Sequence, residues 1–130
     1  MTCVFCDRLA AGDVLVGNGA AAAFPDAFPV SPGHTLIVPR RHEADFLALT
    51  EPERVAVWAL VEPVRQGIDA RLHPDGYNLG VNVGEAAGQT VGHAHLHVIP
   101  RYAGDTPDPR GGIRWILPAK APYWTQADAT

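Results

Sequence analysis

Apolar and polar residues alternate along residues 93–99, the most regular pattern in this chain. The apolar positions are Ala94, Leu96 and Val98, and the polar positions between them are His93, His95 and His97. Side chains on a β-strand point to opposite faces with a period of two residues. The pattern therefore predicts a strand with one apolar face and one face that carries three imidazoles. A solvated strand face that is rich in histidine is the alternative interpretation.

Other apolar segments predict further strands. Residues 14–16 and 20–24 flank the turn signal Gly17-Asn18-Gly19, which favours a hairpin, and residues 34–39 form a strand that Pro39 ends. Residues 77–83 alternate again and predict a strand with a polar face that has room for a ligand. Its apolar face contains Tyr77, Leu79, Val81 and Val83, and its polar face contains Asn78, Gly80 and Asn82.

A helical pattern covers residues 50–72. Thr50 and Glu53 have the spacing of a capping box at its start, and Pro63 predicts a kink or a split inside it. Apolar residues recur at helical spacing at Trp58, Val61, Val64, Ile68 and Leu72. Trp58, Trp115 and Trp124 are candidates for an interface or a ligand pocket, although for Trp58 we favour a position in the core.

Composition narrows the class of protein. A length of 130 residues suits one domain over residues 1–130, in which residues 106–130 form an irregular extension rich in Pro and Gly. The net charge of −4 argues against nucleic acid and anionic membrane surfaces as partners. The sequence has no apolar run of membrane-spanning length and no signal-peptide core, so we expect a cytoplasmic protein. In that compartment Cys3 and Cys6 indicate metal or redox chemistry before a disulfide.

The loop before the histidines predicts an anion site. Residues 84–92 contain three glycines, which allow close approach of a ligand to backbone N–H groups that can hold phosphate oxygens. Gln89 and Thr90 add an amide and a hydroxyl next to the imidazoles. Histidine itself can act as nucleophile, as general acid or base, or as metal ligand.

These motifs together resemble the histidine triad (HIT) superfamily of nucleotide hydrolases and transferases. Residues 93–99 match its His-φ-His-φ-His-φ-φ signature, and residues 32–39 match the strand that the family carries upstream. Residues 88–105 are similar to the fragile histidine triad branch, while Cys3-Val-Phe-Cys6 resembles the zinc-bearing bacterial members of the nucleotide-binding branch. The resemblance implies an α+β fold in which an antiparallel sheet of about five strands carries the main helix near residues 50–72 and a short helix. It also implies a homodimer.

The resemblance assigns catalytic roles to four residues. His95 would be the nucleophile that attacks the α-phosphorus and forms a nucleotidyl-histidine intermediate, which water then hydrolyses. His97 would lie near the phosphate oxygens, with His34 in the same cluster, and Thr90 would hydrogen-bond toward the leaving group. A covalent intermediate divides one difficult displacement into two easier steps.

Nucleotide binding would fall to His95, His97 and three further residues. Asn82 and Gln89 would position phosphate oxygens, and Asp26 would accept the ribose hydroxyls. A simple turn aspartate between two prolines is the alternative for Asp26.

The resemblance also implies one structural zinc ion per chain, bound by Cys3, Cys6, His42 and His93. Two reduced, partly buried thiols are the alternative. A hydrolytic zinc held by His93, His95 and His97 is the rival mechanism, although the outer two Cα atoms would be roughly 13 Å apart on a strand that rises about 3.3 Å per residue.

The implied activity is cleavage at the α-phosphate of an adenosine nucleotide. Dinucleoside polyphosphates, nucleoside phosphoramidates and adenylates share that adenylate half. A dinucleoside polyphosphate phosphorylase and a non-catalytic nucleotide-binding or interaction module are the alternatives.

Overall fold

The core of the fold is a five-stranded antiparallel sheet with helices on both faces. A computed structural model describes residues 2–125, and the sheet has the strand order β1-β2-β3-β5-β4. The elements are α1 (Val4–Ala10), β1 (Val16–Gly17), β2 (Ala21–Pro25), β3 (Thr35–Pro39), α2 (Glu51–Ala59), α3 (Val61–Leu72), β4 (Gly76–Gly80) and β5 (Leu96–Arg101). The predicted α+β class and five-stranded sheet are confirmed.

Several strand boundaries differ from the prediction. β5 begins at Leu96, so His93 and His95 precede the strand, and β4 ends at Gly80 instead of Val83. The last paired residues of these two strands are Gly80 and His97. Residues 81–95 therefore lie outside the β4–β5 ladder and are available for the loop that approaches the candidate site. The strand predicted at residues 14–16 is instead β1 at Val16–Gly17, and the hairpin itself is confirmed.

The long helical segment is divided in two. The capping box is present, because Glu53 N–H donates to Thr50 Oγ1 at 3.3 Å and Thr50 N–H donates to a Glu53 carboxylate oxygen at 2.9 Å. α2 ends at Ala59 and α3 begins at Val61, with Leu60 between them, which confirms the predicted split near Pro63. Pro63 lies in the first turn of α3, where a missing N–H costs no helical hydrogen bond.

The helical pair covers one face of the sheet. The buried residues of this cluster are Ala21, Ala23, Ile37, Val57, Leu60, Val64, Ile68, Leu96 and Val98. The prediction that Trp58 belongs to the core is wrong, because its side chain is 58% exposed. Val57 and Leu60 take that place, since the spacing 57, 60, 64 and 68 forms one continuous helical stripe.

The opposite face of the sheet carries a smaller cluster and the histidines. Phe24, Leu36 and Val38 pack there against Phe5 of α1. His97 is the register partner of Leu36, so its side chain shares this face. α1 therefore brings an apolar wall to the same side of the sheet as the triad.

After β5 the chain forms short 3-10 turns at Gly112–Ile116, Pro118–Lys120 and Tyr123–Thr125. Residues 126–130 of the predicted extension lie outside the described residues. Over residues 2–125, none of the helices has the length and apolar character needed to cross a membrane.

Candidate active site

The three rings of the triad lie on one side of the sheet, as the alternating pattern predicts. Phe5 contacts His95 and His93 edge-on, with ring centroids 5.1 Å and 5.9 Å apart. The His95 and His97 rings are 5.0 Å apart. The segment before β5 and the first residues of β5 thus place the three imidazoles side by side. The hydrogen bonds of each ring then give it a different chemical role.

A hydrogen bond fixes the tautomer of His95. Its Nδ1 lies 2.8 Å from the carbonyl oxygen of His93. A carbonyl only accepts, so Nδ1 carries the proton, and in the neutral ring Nε2 keeps its lone pair. His95 is buried, at 8% exposure, yet it lines the candidate pocket. A ring held in this way is prepared for nucleophilic attack through Nε2.

A chain of hydrogen bonds fixes the tautomer of His97 as well. Val30 N–H donates to Nδ1 of His34 at 3.1 Å, which leaves the His34 proton on Nε2. That Nε2 donates to Nδ1 of His97 at 2.9 Å. The remaining proton of His97 is therefore on Nε2, and His97 is a hydrogen-bond donor where His95 is a nucleophile.

Burial keeps this pair of rings neutral. It lowers the pKa of His97 to about 4, and the neighbouring rings of His95 and His34 act in the same direction against the opposing effect of Asp26. Burial also lowers the pKa of His34, with Asp26 opposing. The 3.4 Å contact between His34 Nε2 and Asp26 is consequently not an ion pair near neutral pH.

Gly33 supports the position of His34. It has a φ of +90°, a left-handed conformation that favours glycine. A Cβ atom there would lie 2.9 Å from Leu72 Cδ1. The tight turn before β3 therefore favours glycine through its backbone conformation, and any larger residue would also have to displace the end of the Leu72 side chain.

A pocket of about 320 Å³ opens over His95 and His97. It brings together five of the predicted site residues: Asp26, Asn82, Thr90, His95 and His97. Its apolar wall consists of Val4, Phe5, Ala27, Phe28, Leu36 and Val91. A larger opening of about 580 Å³ is lined by Trp115 and Trp124, the tryptophans predicted for an interface or a ligand pocket. It contains none of the residues predicted for catalysis or nucleotide binding, so we assign the chemistry to the smaller pocket.

Two predicted residues lie outside the lining of this pocket. His34 is buried behind His97 and acts on it through the hydrogen bond described above. The Gln89 amide holds the loop, because Nε2 donates to Ala44 O at 2.7 Å and Oε1 accepts from Gly84 N–H at 2.9 Å. The phosphate-positioning role of Gln89 stays a prediction.

The four predicted metal ligands form a second cluster next to the triad. Their ligand atoms all lie within 4.8 Å of one another. His93 Nδ1 is 3.5 Å from Cys3 Sγ, 3.6 Å from Cys6 Sγ and 3.3 Å from His42 Nδ1. Tetrahedral zinc with Zn–S of about 2.3 Å and Zn–N of about 2.0–2.1 Å requires edges of roughly 3.6 Å for S···N and 3.3 Å for N···N. The donor set therefore fits tetrahedral zinc.

The second nitrogen of His93 supports this role. Its Nε2 is 2.8 Å from Pro39 O and must donate there, which leaves the lone pair of Nδ1 facing the cysteines. Because both nitrogens of His93 are engaged away from His95 and His97, the three triad rings do not converge on one point. This geometry disfavours the rival hydrolytic zinc.

Asp26, His34 and His97 also lie within 4.8 Å of one another. In this group the proton of His34 is on Nε2, the nitrogen that faces the other two residues. A protonated nitrogen has no lone pair for a metal. The geometry therefore supports a chain of hydrogen bonds through these three residues and disfavours a second metal site.

The sequence patterns did not reveal several contributors to the site. Phe5 forms a wall against His95, and the Val30 N–H and the Pro39 carbonyl fix imidazole tautomers. The sequence did offer one indication of the role of Phe5, because this apolar residue lies between the two predicted metal ligands Cys3 and Cys6. Backbone groups such as those of Val30 and Pro39 leave no signature in a sequence.

The HIT domain family matches residues 9–104 of the chain. The chain belongs to the HIT family. A HIT family protein of Bacillus anthracis has a crystal structure that superposes with a TM-score of 0.74 at 37% identity, covering 80% of this chain and 76% of that one.

Two other relatives bear on the site. A zinc-bound histidine triad family protein of Mycobacterium smegmatis superposes with a TM-score of 0.73 at 31% identity, covering 93% of this chain and 94% of that one. The adenosine 5'-monophosphoramidase of Schizosaccharomyces pombe is 34% identical over 105 residues, which are 78% of this chain and 75% of the relative.

Proposed function

We propose that this HIT protein is a nucleotide hydrolase or transferase that acts at the α-phosphate of adenosine nucleotides through a nucleotidyl-His95 intermediate. The observation that carries the proposal is the hydrogen bond from His95 Nδ1–H to His93 O, which leaves Nε2 free for attack beside the pocket. The phosphoramidase named among the relatives supports the same substrate class.

The reaction follows from the two fixed tautomers. His95 Nε2 forms a bond to the α-phosphorus while the bond to the leaving group breaks. His97 Nε2–H and the Thr90 hydroxyl donate hydrogen bonds to the phosphoryl oxygens and the leaving atom, which takes up a proton from solvent. Water then attacks the phosphorus, releases a proton to solvent, breaks the P–N bond and returns His95 to its starting form. Asn82 joins these donors around the phosphate.

Asp26 is suited to the ribose. One of its carboxylate oxygens accepts from Phe28 N–H at 2.8 Å, which fixes the orientation of the side chain in the pocket lining. Ribose hydroxyls are donors that a carboxylate binds well. The nucleoside then lies against the apolar wall that Val4 and Phe5 form.

We further propose that Cys3, Cys6, His42 and His93 hold one structural zinc ion. The proposal is supported by the tetrahedral spacing of the donor atoms and by the zinc-bound relative. The ion would stabilise the attachment of α1 to the sheet, and all four positions of the site are supplied by protein, which is typical of structural zinc.

A homodimer is the assembly that we propose. β4 is an edge strand of the sheet, and α2 exposes Val55 and Trp58 at 60% and 58%. Exposed apolar residues and an unpaired strand edge are features that association with a second copy would bury.

The decisive experiment is His95→Ala. We expect this variant to lose turnover of adenosine 5'-monophosphoramidate while it binds AMP nearly as well as the wild type, because Asp26, Asn82 and Thr90 remain in the pocket. His95→Gly with added imidazole provides a rescue control. Turnover by His95→Ala at close to the wild-type rate would refute the covalent mechanism, and tight AMP binding without turnover by the wild type would favour the non-catalytic module.

A further inference from the structure

Arg8 is the one permanently cationic side chain among the described residues that line the pocket over His95. It lies on α1, three residues after Phe5, and so on the same helical face. The mechanism proposed above uses His97, Thr90 and Asn82 and leaves Arg8 without a role.

Three contacts hold the Arg8 guanidinium in one orientation. Nε donates to Asp13 at 2.8 Å, and Nη1 donates to the carbonyl oxygen of Pro25 at 2.5 Å. The guanidinium carbon lies 4.1 Å from the centroid of the buried Phe24 ring. Within residues 2–125, Nη2 donates no hydrogen bond, so a fixed pair of N–H groups remains for a ligand.

The position of Arg8 places it near the nucleoside and away from the phosphate. Its acceptor, Pro25 O, directly precedes Asp26, the residue proposed to bind ribose. The start of α1, at Cys3 and Cys6, adjoins His93 at the other end. Arg8 follows both cysteines along α1 and bonds to the strand end that carries Asp26.

We propose that Arg8 is a specificity residue that recognises 6-oxopurines, donating from Nη2 to acceptors on the base edge. The proposal rests on the nucleotide site proposed above and extends its substrates from adenosine nucleotides to 6-oxopurine nucleotides, which this residue would favour. Guanine presents acceptors at both O6 and N7, and hypoxanthine has the same pair, whereas adenine shares the N7 acceptor but presents an amino donor at N6. An arginine donor that faces O6 gains a hydrogen bond, but the same donor that faces N6 meets another donor.

The test compares the 5'-monophosphoramidates of adenosine, inosine and guanosine. Inosine isolates the 6-oxo group because it lacks the 2-amino group of guanosine. The variant is Arg8→Met, which retains the apolar stem over Phe24 and removes all donors. Arg65→Met is the matched control, because Arg65 is an exposed arginine on α3 that also bonds a carboxylate and does not line the pocket.

We expect Arg8→Met to lower kcat/KM for inosine and guanosine substrates by at least about tenfold, the effect of one hydrogen bond to a charged donor. The adenosine value should change by less than about twofold, and Arg65→Met should alter no ratio. Arg8→Lys, which keeps the charge but loses the planar fork, should lose most of the preference. If Arg8→Met does not fold, Arg8→Lys carries the test.

Equal losses on all three substrates would overturn the proposal, since a phosphate contact or a structural role does not distinguish bases. A wild-type protein that turns over none of the substrates would contradict the proposed function and not this inference. In that case calorimetric binding of IMP and AMP to the wild type and Arg8→Met still tests Arg8. An unchanged ratio of the two affinities would then refute its role.

Discussion

Removal of a metal ligand should separate stability from catalysis in this protein. Cys6→Ser removes one of four proposed zinc ligands, and α1 would lose its attachment to His42 and His93. The main packing contribution of α1 is Phe5, which is 7% exposed in the cluster with Phe24 and Leu36. Burial of a Phe side chain contributes about 1.5–3 kcal/mol, so we expect the free energy of unfolding to fall by about 3 kcal/mol.

For a chain of this size, a loss of about 3 kcal/mol corresponds to a decrease in Tm of about 10 °C. The catalytic geometry should survive at low temperature. The backbone around His95 is held independently of zinc, because His93 Nε2 donates to Pro39 O and Ala94 N–H donates to Glu43 O at 2.7 Å. We therefore expect kcat at 15 °C, measured at saturating substrate, to remain within about threefold of the wild type, since no group that contacts the phosphate changes.

The assay combines thermal unfolding by circular dichroism, zinc content by mass spectrometry and turnover at 15 °C. Phe5→Ala is the matched control, because it removes packing and retains every ligand; it should lose stability but keep zinc. An unchanged Tm and zinc content in Cys6→Ser would refute the metal site. Immediate loss of turnover on chelation, with the fold intact, would instead support a hydrolytic metal and contradict the role of His95.

Two further predictions concern the pocket. Thr90→Ala should lower kcat/KM for phosphoramidates with poor amine leaving groups at least about tenfold more than for dinucleoside polyphosphates, because a poor leaving group depends more on proton delivery. Equal losses in kcat/KM for the two substrate classes would show that Thr90 only shapes the loop. His97→Gln should make folding less sensitive to acid. The pKa of His97 is about 4 in the folded protein and ordinarily 6.5, so the unfolded state binds more protons between these pH values. The wild-type free energy of unfolding therefore falls as the pH decreases through this window, and the variant lacks this contribution. The measurement is the urea midpoint of unfolding between pH 7 and 4.5 for the wild type and His97→Gln. An equal decline of the midpoint in the two proteins would contradict the contribution of His97.

Sequence periodicity predicted the larger elements correctly and their ends less well. The capping box and the split near Pro63 are local properties, and both appear in the structure. The ends of β4 and β5 depend on which residues find a partner across the ladder, a property of two segments 15 residues or more apart. Trp58 shows the same limit. The helical spacing allowed an apolar stripe through Trp58 and another through Val57, and packing against the sheet buries the one through Val57.

The sequence by itself determined the types of chemistry available here: three imidazoles with alternating spacing, a Cys-x-x-Cys pair and a glycine-bearing loop. Only the tertiary structure decided what each imidazole does. His93, His95 and His97 are equivalent in the pattern, but their hydrogen bonds differ. Nε2 of His93 donates to Pro39 O, Nδ1 of His95 donates to His93 O, and Nδ1 of His97 accepts from His34 Nε2. The tautomer of a histidine follows from these long-range and backbone contacts, which no local pattern records.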